Sequence, residues 1–112
     1  IQNILVQVNI SGETVKAGVA EQGVIPLLKE IALLPNLQVK GLMTMPPYFD
    51  QPEKARPFFA ALRRLRDTIR SIAIERIHMD ELSMGMTGDF EAAIEEGATL
   101  VRIGTAIFGE RS

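Results

Sequence analysis

Residues 4–10 read Ile-Leu-Val-Gln-Val-Asn-Ile and stop at Ser11-Gly12. A β-branched run closed by a glycine predicts a strand and then a turn. Val24, Leu27, Leu28, Ile31 and Leu34 fall on one helical face, and Pro35-Asn36 ends that helix. Residues 37–45, Leu-Gln-Val-Lys-Gly-Leu-Met-Thr-Met, predict a second strand, ended by Pro46-Pro47 because proline cannot extend the ladder. Asp50 and Glu53 are spaced as a capping box, with Pro52 in the first turn. Phe58, Leu62, Leu65, Ile69 and Ile72 then repeat at helical spacing, and Pro57 marks either a kink or the true start. Residues 80–84 predict a short third strand. Thr87-Gly88-Asp89 opens a third helix carrying Phe90, Ala93 and Ile94, with Gly97 suited to its C-terminal cap. Residues 99–104 predict a fourth strand, followed by a turn or short helix from Thr105 to Phe108.

Strand and helix alternate four times, which implies the α/β class with parallel strands joined by crossover helices. No linker, low-complexity segment or sequence repeat interrupts residues 1–112, so the expectation is one domain. Sites in parallel α/β folds lie at the carboxyl ends of the strands. The candidates therefore gather at residues 9–12, 43–46, 83–86 and 102–105.

Composition narrows the chemistry. The absence of cysteine excludes disulfides, thiolate zinc and iron–sulfur sites, and the single histidine, His78, excludes a two-histidine metal helix. His78 precedes the predicted third strand and is not expected to bind metal. A net charge of −2 argues against a general nucleic-acid binder, and one Tyr with no Trp against a base-stacking platform. No apolar run approaches the ~18 residues of a membrane span, and Ile1-Gln2-Asn3 shows no basic leader, so the expected compartment is cytoplasmic.

Gly104-Thr105-Ala106-Ile107-Phe108-Gly109 is the strongest local signal. A glycine lets backbone approach a ligand, and unpaired turn amides with a hydroxyl suit a phosphate. The alternative is a plain helix cap with a packing glycine. It is not a P-loop, because Glu110-Arg111 follows where Lys-Ser/Thr is required. Ser83-Met84-Gly85-Met86-Thr87-Gly88 is a second glycine-bearing turn, in which the Ser83 hydroxyl and Gly85 amide could serve the same phosphate or Thr87 could simply cap a helix. Two such turns on consecutive final strands resemble the phosphate site of (β/α)8 barrels. Arg102, between Val101 and Ile103, needs a partner: a ligand, or Asp80 or Glu81 in a structural ion pair. Arg63, Arg64, Arg66 and Arg70 read most simply as a solvated helix face, and Lys16 as a surface lysine. Met43, Met45, Met84 and Met86 either line a flat apolar pocket or fill core gaps.

The stretches Leu82-Ser-Met-Gly-Met-Thr, Asp89-Phe-Glu-Ala-Ala-Ile and Val101-Arg-Ile-Gly-Thr-Ala-Ile-Phe-Gly109 resemble the pyridoxal 5′-phosphate homeostasis proteins, the YggS/PROSC-like family related in fold to the N-terminal barrel domain of alanine racemase. Val6-Gln-Val-Asn-Ile, Lys16-Ala-Gly18 and Gly41-Leu-Met-Thr-Met-Pro46 extend the likeness over essentially the whole chain. The resemblance implies a (β/α)8 barrel holding pyridoxal phosphate at its mouth. By position, Ser83, Met84, Gly104 and Thr105 resemble the phosphate cradle, Arg102 the arginine facing the pyridine nitrogen, and Met43 a neighbour of the ring.

A complete barrel needs roughly 250 residues, and four strand–helix units are present. They resemble the C-terminal half, so the family's Schiff-base lysine, in a motif like Val-Ser-Lys, is expected in a missing N-terminal half. Half a barrel has two unpaired edges, so the expected partner is that missing half or a second copy of this chain. The implied function is non-catalytic buffering and delivery of pyridoxal phosphate. A racemase of the alanine racemase type is the alternative, but its usual lysine–tyrosine pair is not matched, Tyr48 being the only tyrosine. A third reading is a small open sheet binding a phosphate-bearing ligand or a protein.

Overall fold

Burial alternates along the strands. Leu42, Met43 and Thr44 run buried, half-buried, buried, and so do Leu82, Ser83 and Met84. Period-two alternation is that of a sheet with one face covered and the other open. The structure is a computed structural model that describes residues 2–10, 18–45, 51–86 and 89–102. The elements are β1 (Gln2–Asn9), β2 (Val19–Ala20), α1 (Val24–Ile31), β3 (Leu37–Met43), α2 (Arg56–Ile72), β4 (Ile77–Met86), α3 (Phe90–Glu95) and β5 (Leu100–Arg102). The sheet order is β2-β1-β3-β4-β5 and every pairing is parallel. The α/β class and the successive parallel strands of a (β/α)8 segment are therefore present. Strands β1, β3, β4 and β5 lie side by side in chain order, as in a barrel wall.

The core lies between sheet and helices. Val24 and Leu28 of α1 and Phe59, Leu62, Leu65 and Ile69 of α2 pack on Val6, Val8, Val39, Leu42, Met79, Leu82 and Met84. Full burial of such side chains stabilises by about 1.5–3 kcal/mol each. At Gly41 the strands β3 and β4 come so close that a Cβ would collide with the Glu81 carbonyl oxygen. The pairing register shifts between Val39 and Gly41.

Several elements differ from expectation. The two-residue β2 was not legible. It pairs only with Val8 and Asn9, so the outer edge of β1 before them has no strand partner among the described residues. Helix α1 ends at Ile31, and Leu34 is half exposed rather than part of its apolar face. In α2 it is Phe59, not Phe58, that enters the core, because Phe59, Leu62, Leu65 and Ile69 share the sheet-facing stripe. Pro57 starts this helix and does not kink it. A 3-10 turn, Pro52–Ala55, precedes it with Gln51 at its N-cap and no side-chain cap bond. Glu53 is engaged by Arg56 instead, while Asp50 lies outside the described residues. Strand β4 begins at Ile77, so His78 is inside a strand, where its Nε2 lies 2.8 Å from Nε2 of Gln38. Gly97 closes α3 as expected, with φ +107 and the paired bonds Gly97 N to Ile94 O and Ala98 N to Ala93 O, both 3.0 Å, of a Schellman motif.

Candidate functional site

The strand register brings part of the expected site together. Gln7 pairs with Met43, Met43 with Ser83, and Ser83 with Leu100, a row crossing four strands. Partners in a parallel ladder point to the same face. Here that is the open face, since the residues on either side of Met43 and Ser83 are buried under the helices. Met86 pairs with Arg102 nearer the carboxyl edge.

Two threonines pin the backbone around Ser83. The Thr44 amide donates to the Ser83 carbonyl at 3.1 Å, and its buried hydroxyl donates to the Val8 carbonyl at 2.9 Å. On the other side the Leu82 amide donates to the Thr99 hydroxyl at 2.8 Å, and the Thr99 amide donates to the Leu82 carbonyl at 2.9 Å. Thr99 thus substitutes its side chain for a ladder acceptor where β5 has not yet begun. The Ser83 hydroxyl itself has no hydrogen-bond partner among the described residues and is half-buried. A held backbone with an uncommitted donor is suited to receiving a polar group. Neither threonine's role was read from the sequence; the signal available was a β-branched hydroxyl at a strand boundary.

Met84 is 2% exposed and belongs to the core. From that position it can reach a ligand on the open face only through its main chain. Gly85 follows at φ +100, and a Cβ there would lie 2.6 Å from the Ala93 Cβ. Only glycine allows α3 to rest on this bend. Arg102 is placed by its backbone as the last residue of β5, and its side chain lies outside what is described. Asp80, a candidate partner for it, instead lies 3.5 Å from the Lys40 ammonium. Gly104, Thr105, Lys16, Tyr48 and Thr87 lie outside the described residues.

The arginines of α2 are only in part the solvated face expected: Arg64 and Arg70 are exposed, Arg63 and Arg66 half-buried. Arg63 donates to Glu96 Oε1 at 2.7 Å, Arg66 pairs with Asp67 at 3.1 Å, and Arg70 donates to the Met79 carbonyl at 2.6 Å. Arg63 reaches across to the end of α3 and Arg70 to β4, which helical periodicity alone does not reveal, while Arg66 pairs within α2. Among the described residues there is no cluster of three metal-ligating side chains, and no helix is long and apolar enough to cross a membrane. A groove of about 390 Å³ lined by Glu21, Gln22, Arg64, Leu65 and Thr68 lies among the helices and contains none of the expected site residues.

Parallel strands in chain order thus bring the Ser83 hydroxyl, which has no hydrogen-bond partner among the described residues, beside the Met43 thioether. The chain belongs to the family described as alanine racemase, N-terminal domain, whose model matches residues 1–112. Within that class it is similar to the pyridoxal phosphate homeostasis protein of Aquifex aeolicus, with 50% identity over 99% of this chain and 48% of the relative. A crystal structure of an unknown protein from Bifidobacterium adolescentis has 41% identity and a TM-score of 0.86, over 95% of this chain and 42% of that one. PipY of Synechococcus elongatus, solved with PLP bound, has 30% identity and a TM-score of 0.81, over 96% of this chain and 49% of that one. The chain spans about half the length of the relatives it matches.

Proposed function

We propose that this chain is the C-terminal half of a (β/α)8 barrel that binds pyridoxal 5′-phosphate at the carboxyl ends of its strands and serves to buffer and deliver it, without catalysis of its own. The observation that carries this reading is the row placing Met43 beside Ser83 on the open face. The names of the relatives and the PLP bound to PipY support the choice of ligand.

The residues present fit that group. A phosphate ester needs hydrogen-bond donors, and Ser83 offers an uncommitted hydroxyl beside main chain that Thr44 and Thr99 hold still. A planar ring needs an apolar neighbour, and Met43 stands next in the row. When bound, the cofactor supplies an electrophilic aldehyde on an electron-withdrawing ring. Ser83 would donate to the phosphate, with the main chain at Met84 and with Gly104 and Thr105 completing the cradle. Met43 would pack on the ring, and Arg102 would face the pyridine nitrogen. A cation there disfavours protonation of that nitrogen, and so weakens the electron withdrawal that racemisation exploits. That electrostatic choice suits a carrier.

The outer edges of β1 before Val8 and of β5, which have no strand partner among the described residues, would pair with the preceding half of the barrel, which carries the Schiff-base lysine. The test is titration of the longest polypeptide carrying this chain with pyridoxal phosphate, paired with an assay for exchange of the alanine α-hydrogen. Stoichiometric binding without exchange is expected. Exchange at enzymatic rates would establish the racemase reading, and no binding would overturn both.

A further inference from the structure

Helix α3 has little of its own to hold it. It is six residues long, well below the length at which a helix is stable alone. The buried side chains it contributes are those of Ala92 and Ala93. Its last turn ends in Glu95 and Glu96, carboxylates at the end where the helix dipole disfavours negative charge. Yet Ala93 is fully buried and sits against Gly85, two residues beyond Ser83. The position of α3 therefore decides the bend that follows the candidate site.

Charges from the start of α2 hold it. The Arg56 guanidinium donates to both Glu53 oxygens at 2.7 and 2.9 Å, to Glu95 Oε1 at 2.7 Å and to Glu96 Oε2 at 3.0 Å. Arg63 takes the other Glu96 oxygen at 2.7 Å. Glu96 is 14% exposed, so its pairing is the most sheltered of the set. Such a fork matches carboxylates in a way a lysine cannot. The clamp joins the segment entering α2, which follows β3 and Met43, to the helix that follows β4 and Ser83.

We infer that Arg56 is a positioning residue for the ligand site: by gathering Glu53, Glu95 and Glu96 it locks α3 onto Gly85 and so keeps Ser83 presented to the phosphate of the ligand. This rests on the reading of the site given above. The test titrates pyridoxal 5′-phosphate and, separately, pyridoxal against wild type, R56Q, R56K and E95Q in the longest polypeptide carrying this chain. R56Q is expected to weaken pyridoxal phosphate about tenfold while changing pyridoxal by less than about twofold. R56K is expected to recover part of the loss. E95Q, which removes one partner whose side chain is 66% exposed, is expected to shift the phosphate preference the same way by less. A defect that merely loosened the fold would weaken both ligands alike. The inference is overturned if wild type prefers the phosphate ester and R56Q and E95Q keep that preference. Should R56Q fail to fold, E95Q alone decides. If wild type shows no preference for the phosphate ester, the reading of the site fails and takes this inference with it.

Discussion

Helix α2 drives Phe59, Leu62, Leu65 and Ile69 into the core over seventeen residues, whereas α3 brings two alanines over six and is held by arginines. Both pack on β4. The long helix is anchored by burial, which is insensitive to salt and pH. The short one is anchored by charge pairs and by a glycine that lets it come close. Of these two helices, the one next to the candidate site therefore has the weaker hydrophobic support. Low local stability of that kind is common where a ligand must be admitted and released.

Mutations can break or sharpen this contrast. Phe59→Ala removes a fully buried ring and is expected to cost about 3–5 kcal/mol in chemical denaturation; a loss under ~1 kcal/mol would mean that α2 does not carry the core. Gly85→Ala places a Cβ 2.6 Å from Ala93 Cβ at φ +100. It is expected to cost about 2–3 kcal/mol and to weaken pyridoxal phosphate binding, since α3 must move away. Thr44→Val keeps the shape but orphans the Val8 carbonyl, for an expected loss of about 1–2 kcal/mol. Ser83→Ala removes an uncommitted hydroxyl. Stability should stay within about 0.5 kcal/mol of wild type, while pyridoxal phosphate affinity falls about tenfold. Unchanged affinity in an equilibrium titration would remove Ser83 from the cradle.

The smallest expected effect is on pH. The hydrogen bonds from Arg56, and then its charge, hold the Glu53 carboxyl below its usual 4.5. Bonds from Glu53, Glu95 and Glu96 hold the guanidinium charged well above its ordinary range. A carboxylate lowered on folding contributes stability above the unfolded value and loses it as pH falls through the folded one. The Glu53 contribution should thus be complete at neutral pH and disappear below about pH 4.5. Hydrogen exchange at the α3 amides should rise there relative to the α2 amides. Equal response of the two helices would erase the distinction drawn between them.

Much of the architecture was legible along the chain. The apolar spacing of α2 and the glycine closing α3 each have a local cause, and each appears where that cause predicts; β3 stops at Met43, short of the expected residue 45, and Pro46-Pro47 lie outside the described residues. The misses share a different origin. Phe58 and Phe59 are adjacent aromatics, and only the direction of the sheet says which is inside. Arg63 and Arg70 read as solvated because a helical wheel shows what shares a face and not what stands opposite it, and the pattern did not single out Arg56 at all. The strand containing His78 was read as residues 80–84 and runs from Ile77 to Met86; the polar His78 and Asp80 obscure its start, although the open face of a sheet tolerates polar positions. Of the candidate site, the bend at Gly85 that follows Ser83 has a signal in the sequence, while Gly104 and Thr105 lie outside the described residues. The alignment of Ser83 with Met43 has none.

By itself, the chain determined its element types, their parallel order and which strand ends carry donor groups, because these follow from periodicity and turn chemistry within a few residues. Tertiary structure decided that Met43 and Ser83 are neighbours, that Met84 faces away from them, and that Arg56 bridges three carboxylates from two helical segments. Register and long-range ion pairing join residues some forty positions apart, and no local pattern encodes a distance that exists only once the chain has folded.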